Sequence, residues 1–335
     1  MGDVVMKNRT IVFDAPYDVK FREEEADLKP GKGQVLMEKL YSLISTGTEL
    51  ACLSGAEGWF KMPGVPGYCC VSKVVEAGEG AAFQPGDVVF HYGAHNQYQL
   101  VGDDFAVRVP EGMDLKQVPL IRMATIAFTA VRVSEIELGD YVFVSGLGLV
   151  GNMAAQLATL SGATVIGVDP APSRRKDALR CGIAYAVAPE DAAKTVEAVT
   201  GGRGVNTLIE ATGIPKVAEG YLPLIGYHGE IIFLGTPRGD YQTVLSNVLR
   251  YCHIDGQGSV TFKGAHEWRY PVKEDKFVKH SIERNTRVCM DLLQRGLLKA
   301  EPLISHVIKP GEAPDVYLAV NGDRDKYTGI VIDWT

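Results

Sequence analysis

The first chemical signal is a run of six residues, Gly146-Leu147-Gly148-Leu149-Val150-Gly151. It follows the apolar stretch Tyr141-Val142-Phe143-Val144 and precedes a helical pattern from about Val150 to Leu160, so the glycines fall on a strand-to-helix turn. Gly146 permits the tight turn, Gly148 lets the backbone approach a pyrophosphate, and Gly151 lets helix and strand pack closely. The helix start offers free N–H groups and the positive end of a dipole to phosphates. Asp169 ends the next apolar run, Thr164 to Val168, 18 residues past Gly151. A carboxylate there binds both ribose hydroxyls and repels a 2′-phosphate, so NAD is expected in preference to NADP. Arg174 and Arg175 follow and would welcome such a phosphate; the more economical expectation lays Arg174 against the adenine side.

These residues need an α/β layer to hold them. From Val118 to Val133 the chain is apolar with a helical period, and after it strands and helices alternate: Tyr141–Val144, the helix to Leu160, Thr164–Val168, a helix through Arg175 and Leu179, Thr207–Glu210, and Glu230–Leu234. This alternation predicts a doubly wound parallel sheet over 118–301. A late strand is expected from Asp255 to Thr261, followed by the polar segment Lys263 to Pro271. Residues 1–117 read differently, as short strands cut by turns: Ile11–Phe13, Val19–Phe21, Gln34–Ile44, Val71–Glu76, Val88–Phe90 and Gln97–Val101. That spacing argues for a small β-barrel or sandwich. Residues 302–335 turn strand-rich again, at His306–Ile308 and Gly329–Asp333, and are expected to return to the first domain.

Composition narrows the function classes. At 335 residues the chain suits two domains, and 46% hydrophobic with 22% charged residues excludes disordered and fibrous classes. The net charge is −7 and the Lys and Arg residues are scattered, so no nucleic-acid partner is expected. Tyr141 to Val168 carries no charge, but Gly146, Gly148, Gly151, Asn152, Gln156 and Ser161-Gly162 break it, so no membrane span is expected. No signal pattern opens the chain, and Met6 and Lys7 stand where a myristoylation motif needs Ser or Thr. A cytoplasmic protein is expected. The six cysteines form no Cys-x-x-Cys pair and read as reduced, buried thiols.

The order and spacing of further motifs resemble the medium-chain dehydrogenase/reductase superfamily of zinc-type alcohol dehydrogenases over nearly the whole chain. Those motifs are Gly47-Thr48-Glu49, Pro85-Gly86-Asp87, Leu138-Gly139-Asp140 and Glu210-Ala211-Thr212-Gly213. The resemblance implies an α/β protein with a GroES-like β-barrel catalytic domain (1–117 and 302–335) and a Rossmann domain (118–301). It further implies cofactor contacts from Thr129, Ala211, Thr212, Gly213, Gly235 and Thr236. Zinc-dependent members carry Cys before the Gly-Thr-acid triplet, a Gly-His-Glu, and a third ligand four residues before a Thr-Ala pair. Here those positions hold Thr46, Gly67-Tyr68-Cys69 and Thr125, and the four-cysteine lobe of a structural zinc is missing. Hydroxyls bind Zn²⁺ poorly and Cys69 alone is not a site, so no zinc is expected. The runs Ser45–Glu49 and Phe90–His95 are similar to a zinc-free branch that includes D-guloside 3-dehydrogenase.

Without a metal, the hydroxyl proton of an alcohol substrate needs a side chain to take it. Thr48 matches the family position whose hydroxyl meets the substrate. Tyr68 stands at a former ligand position, and its phenol would serve as acid or base if a neighbouring cation lowered its pKa. His91 follows Val88–Phe90 where relatives line the substrate pocket, and His95 is a second candidate; either is equally a hydrogen-bonded loop histidine. The expectation is Thr48 with either His91 or Tyr68. Trp59, Lys61 and Trp268 supply aromatic faces and a charge suited to a polyol, although the segment around Trp268 reads equally as a solvated loop or an oligomer contact. The expected activity is NAD-linked oxidation of a secondary hydroxyl on a sugar, glycoside or cyclitol. Two alternatives stay open: a zinc-free quinone or enoyl reductase, and a dinucleotide-binding protein without catalysis. The apolar stretch Val244 to Val260, with its late strand, suggests a homodimer or homotetramer.

Overall fold

The computed structural model describes residues 6–102, 104, 106–254, 258–323 and 325–335. The chain divides into two units. The first holds the residues up to Arg122 with Pro271–Gln294 and Leu303–Thr335; the second holds Met123–Tyr270 and Arg295–Pro302. The stretch Pro271–Gln294 therefore belongs with the first unit, not with the sheet domain to which the sequence pattern assigned it.

In chain order the first unit opens with β1 (Met6–Ala15), β2 (Asp18–Ala26), β3 (Gln34–Ile44), α1 (Thr46–Leu53), β4 (Cys70–Ala77), β5 (Val88–His91), β6 (Tyr98–Gly102) and β7 (Ala106–Arg108). Helix α2 (Ile121–Val133) leads into the second unit. That unit continues with β8 (Tyr141–Ser145), α3 (Leu149–Leu160), β9 (Thr164–Val168), α4 (Pro172–Arg180), β10 (Tyr185–Val187) and α5 (Ala192–Thr200). It then runs through β11 (Val205–Glu210), α6 (Pro215–Tyr221), β12 (Ile225–Phe233), α7 (Leu245–Tyr251) and β13 (Thr261–Gly264). Helix α8 (Ile282–Gln294), β14 (Ile304–Ile308), α9 (Ala313–Gly322) and β15 (Gly329–Asp333) complete the first unit.

In the first unit β1 and β2 pair antiparallel, and a larger sheet runs β14-β15-β3-β4-β5-β7, with β6 also on β3. Strand β3 can serve β4, β6 and β15 because it bends: its register with β4 shifts between Leu36 and Met37 and again between Lys39 and Tyr41. Strands β14 and β15 are parallel, which requires a crossover, and α9 provides it. Ile11, Phe13, Ile44, Leu53, Tyr317, Ile330 and Trp334 fill the core between them.

The second unit is one parallel sheet in the order β10-β9-β8-β11-β12-β13. The chain steps outward from β8 to β10, then returns to β11 and steps the other way. The reversal between β8 and β11 is a topological switch point, where the carboxyl ends of the strands open a crevice for a ligand. Phe143, Ile166, Val168, Val196, Leu208 and Ile231 are buried in this unit's core, as expected for strands covered on both faces.

Two expectations fail here. The late strand is not Asp255–Thr261: Gly258 and Ser259 have φ values of 77° and 55°, a left-handed kink through which no strand can run, and pairing begins only at Thr261. Asp255, Gly256 and Gln257 lie outside the described residues. The stretch from Val244 is likewise helical before it is extended, and α7 leaves Leu245 and Leu249 exposed. No helix among the described residues is long and apolar enough to cross a membrane.

Candidate active site

At the switch point, Gly146 turns the chain with φ 87°, a conformation that side-chain-bearing residues avoid. A Cβ on Gly151 would collide with the Gly146 carbonyl, so that glycine sets how closely α3 packs on the turn. Gly148 is different. A Cβ there would meet nothing, so the space above it is open. It forms the N-cap of α3, whose first turn (Leu149, Val150, Gly151) has neither a side-chain cap nor an acidic residue, leaving N–H groups to meet an anion.

Asp169 is buried at the end of β9. Its Oδ2 accepts the Leu147 N–H at 2.8 Å and lies 3.5 Å from Arg174 Nη1, while Oδ1 accepts the Ala171 N–H at 2.9 Å. The carboxylate thus clamps the glycine turn to the following strand. Arg174 lies against Asp169 itself, and Arg175 turns away to the carbonyls of Asp169 and Pro170, each at 2.7 Å. Beside the turn, the buried Glu210 carboxylate accepts the N–H groups of Thr212 (2.7 Å) and Gly213 (3.1 Å) and the Thr212 hydroxyl, which fixes the loop Ala211-Thr212-Gly213. The Glu210 carbonyl accepts the Gly235 N–H at 2.8 Å, and a Cβ on Gly213 would strike the Thr236 carbonyl. The ends of β8, β9, β11 and β12 are therefore held together at one edge. Thr129 belongs to the same unit; its hydroxyl is buried and has no hydrogen-bond partner among the described residues.

In the first unit the four candidate acid–base residues separate into two kinds. Thr48, in the first turn of α1, and Tyr68 are both half-buried. The Tyr68 hydroxyl donates to Ser45 Oγ at 2.6 Å and is hydrogen-bonded to Thr48, so these two meet. Arg122 stacks 4.0 Å from the Tyr92 ring and 5.5 Å from that of Tyr68. A cation does stand near the phenol, yet burial prevails and pushes its pKa up, so the group stays protonated at neutral pH.

His91 and His95, by contrast, have no exposed surface. His91 Nε2 lies 2.7 Å from Ser72 Oγ, and burial, with Lys39 adding to it, holds the imidazole well below its ordinary pKa. His95 sits in a chain of bonds whose direction follows from donor chemistry. The Trp334 indole can only donate, and it gives its N–H to Ser42 Oγ at 2.9 Å. The Glu49 carboxylate can only accept, so His95 Nε2–H points to its Oε2 at 3.0 Å, and in the neutral imidazole Nδ1 is then left to accept the Ser42 hydroxyl at 2.9 Å. Tyr317 also donates to Glu49, whose other oxygen takes the Ser45 N–H at 2.8 Å. Both nitrogens of His95 are occupied, which leaves no lone pair for a substrate proton.

Of the expected substrate contacts, Trp59 is exposed, with its indole N–H on Glu57 at 2.9 Å, and Lys61 is exposed close by in sequence. Trp268 is exposed in the second unit, on a short helical turn, Glu267–Arg269. The supposed polar loop around it in fact begins inside β13, which takes Lys263 and Gly264.

Known proteins share this design. Residues 150–274 match a family model described as zinc-binding dehydrogenase. D-guloside 3-dehydrogenase of Shigella flexneri is 28% identical over 259 residues, 75% of this chain and 72% of that protein. L-threonine 3-dehydrogenase of Pyrococcus abyssi is 26% identical over 318 residues, 84% of this chain and 86% of its own. The crystal structure of a putative zinc-binding dehydrogenase from Sinorhizobium meliloti 1021, bound to NADP, superposes with a TM-score of 0.81 at 21% identity, covering 98% of this chain and all of that one. Over residues 150–274 and in its fold, the chain is similar to the zinc-type alcohol dehydrogenase-like proteins of the medium-chain family.

The matched stretch, 150–274, contains none of the three positions at which zinc-dependent members of that family place their ligands. Those positions hold the hydroxyls of Thr46 and Thr125 and the Tyr68 phenol, which burial keeps protonated. Such neutral oxygens do not fit Zn²⁺, which selects thiolate, imidazole and carboxylate. Among the described residues no group of three or more His, Cys, Asp or Glu side chains could hold a metal ion. The residues of the second unit do fit a dinucleotide: the open space over Gly148, the uncapped start of α3, and the solitary buried hydroxyl of Thr129.

Sequence reasoning missed Arg122, Ser42 and Tyr317. For Arg122 a signal existed: it is the first charge in the otherwise apolar run from Val118. Ser42 and Tyr317 carry no local signal, because what matters is their distant partners.

Proposed function

We propose that this protein oxidises a secondary hydroxyl of a sugar, glycoside or cyclitol, or reduces the matching ketone, with NAD and without catalytic zinc. The observation that carries the cofactor choice is the fixed Asp169 carboxylate at the end of β9. It is paired on one side only by Arg174, so it favours free ribose hydroxyls over a 2′-phosphate. The NADP-bound neighbour is the counter-example that makes this choice worth testing. Bound nicotinamide supplies a hydride acceptor. Gly146 to Gly151 and the start of α3 would hold the pyrophosphate, Asp169 the adenosine ribose, and Thr129 with Ala211–Gly213, Gly235 and Thr236 the remainder.

The acid–base work falls to Tyr68 and Thr48. The phenol stays protonated, so in the reducing direction it donates to the carbonyl oxygen; in the oxidising direction the hydroxyl proton passes along its hydrogen bonds with Thr48 and Ser45, each group giving up one proton as it takes another, and is released to solvent. His91 and His95 are positioning residues in this reading. The sugar-like substrate class rests on the named D-guloside relative and on exposed Trp59, Lys61 and Trp268. The protein is expected to work as a homodimer or homotetramer in the cytoplasm.

NADH formation at a wavelength specific to reduced nicotinamide, with metal-analysed protein and a panel of sugars, glycosides, cyclitols and simple alcohols, tests this. Turnover of a sugar or cyclitol, unaffected by chelator and without stoichiometric zinc, is the expected result. Chelator-sensitive activity with bound zinc would refute the metal-free part. NADPH-linked reduction of activated double bonds would replace the substrate assignment.

A further inference from the structure

Lys39 and Cys70 stand outside the acid–base machinery, on the neighbouring strands β3 and β4. Both are buried, and Lys39 Nζ lies 3.1 Å from Cys70 Sγ. The amine also donates to the Ala94 carbonyl and approaches Asn96 Oδ1 at 3.5 Å, while the thiol donates to the Gly93 carbonyl at 2.9 Å. Among the described residues no carboxylate lies within ion-pair distance of Lys39. An ammonium without a counter-ion is unfavourable in such a place, so burial drives the lysine toward its neutral amine and pushes the thiol up. An amine whose charged form is disfavoured is thus held in contact with a thiol, with two backbone carbonyls keeping both heads on the same side.

We propose that Lys39 and Cys70 form an oxidative cross-linking site, at which dioxygen joins the two side chains through one oxygen atom as an Nζ–O–Sγ bridge. Amine, thiol and one dioxygen give the bridge and one water. One N–H bond, the S–H bond and the O–O bond break, and an N–O and an O–S bond form. The two released hydrogens leave as water; nitrogen and sulfur together lose the four electrons that dioxygen takes up. The geometry favours an inserted atom over a direct S–N bond, which would have to draw the strands' side chains much closer than 3.1 Å. Capture of a sulfenic acid by a nitrogen would instead expel the oxygen as water and leave a direct S–N bond, the product that the separation of the two heads disfavours. Dioxygen is small enough to reach a buried pair through local opening of the strands. The bridge leaves a single N–H on the nitrogen, so Ala94 and Asn96 compete for one donor on the segment that carries His95.

The test uses the full chain purified under argon with a phosphine reductant, then divided between argon and air-saturated buffer. After trypsin and mass spectrometry, the aerated half is expected to contain a linked pair of peptides bearing Lys39 and Cys70. The pair should be heavier than the separate peptides by one oxygen less two hydrogens, with cleavage after Lys39 blocked. Dithiothreitol should restore both peptides, and Cys70→Ser should abolish the link; the wild-type digest stands alone if that variant does not fold. A link lacking the oxygen would overturn the proposal. So would Cys70 found as free thiol, or as sulfinic or sulfonic acid, with cleavage after Lys39 intact.

Discussion

Asp169→Asn isolates the charge at the cofactor site with little change of shape. In the wild type one carboxylate oxygen takes the Leu147 N–H and the other the Ala171 N–H. Asparagine offers one carbonyl oxygen and one NH₂, so one of those buried N–H groups faces a donor and loses its acceptor. That should cost about 1–3 kcal/mol of stability, visible as a lower urea midpoint at unchanged slope. A hydrogen bond to a charged group is worth about 1.5–3 kcal/mol, so losing the charge toward a ribose hydroxyl should raise the KM for NAD roughly ten- to 150-fold. NADP should gain, because the repulsion of its 2′-phosphate disappears while Arg174 remains. Steady-state kcat/KM for both cofactors, on one preparation with its unfolding curve, separates the effects. A preference for NAD over NADP that shifts by less than about threefold while stability falls would show that Asp169 is only a clamp on the glycine turn.

Tyr68→Phe removes the phenol that meets Ser45 and Thr48, and kcat should fall by about 10²–10⁴ with the KM for NAD unchanged; an unaltered kcat would exclude Tyr68. His95→Ala leaves the Glu49 carboxylate buried without its imidazole donor and should destabilise by about 1–3 kcal/mol, measured by denaturant unfolding. In whatever fraction stays folded in the cold, turnover should persist, since His95 has no free nitrogen. His91 makes the protein acid-sensitive: its folded pKa is depressed below the ordinary 6.5, so below that pH the unfolded chain binds the extra proton first. Its contribution is present above about 6.5 and is lost at up to about 1.4 kcal/mol per pH unit as the pH falls toward the folded value. Melting temperatures of wild type and His91→Gln against pH should converge in acid; parallel curves would show that His91 does not titrate this way.

The glycine turn, the parallel strands around it and Asp169 were legible because each is a local pattern: an apolar run, a turn that only glycine can make, a helix, an acid. Strands β3 and β15 were legible in full for the same reason. The histidines were not. Whether an imidazole is a base or a buried strut depends on partners far away in the chain, and His95 meets Glu49 across 46 positions while Glu49 meets Tyr317 across 268. The late strand was misplaced because apolar content alone does not reveal a left-handed kink at Gly258-Ser259, although the glycine there was a cue. The segment Pro271–Gln294 was assigned to the wrong unit because α8 carries an ordinary amphipathic period that fits either one.

Strand β15 lies between β14 and β3 in the larger sheet, so residues 329–333 complete a layer whose other strands include Gln34–Ile44. During synthesis the second unit has all its residues once Pro302 has left the ribosome, whereas β3 must wait for its neighbour. The nascent first unit therefore presents an unpaired strand edge while the second can already fold, an aggregation-prone interval for a growing chain. Codon-paced pauses or chaperone contacts that matter for this protein should act on that interval, not on the glycine turn.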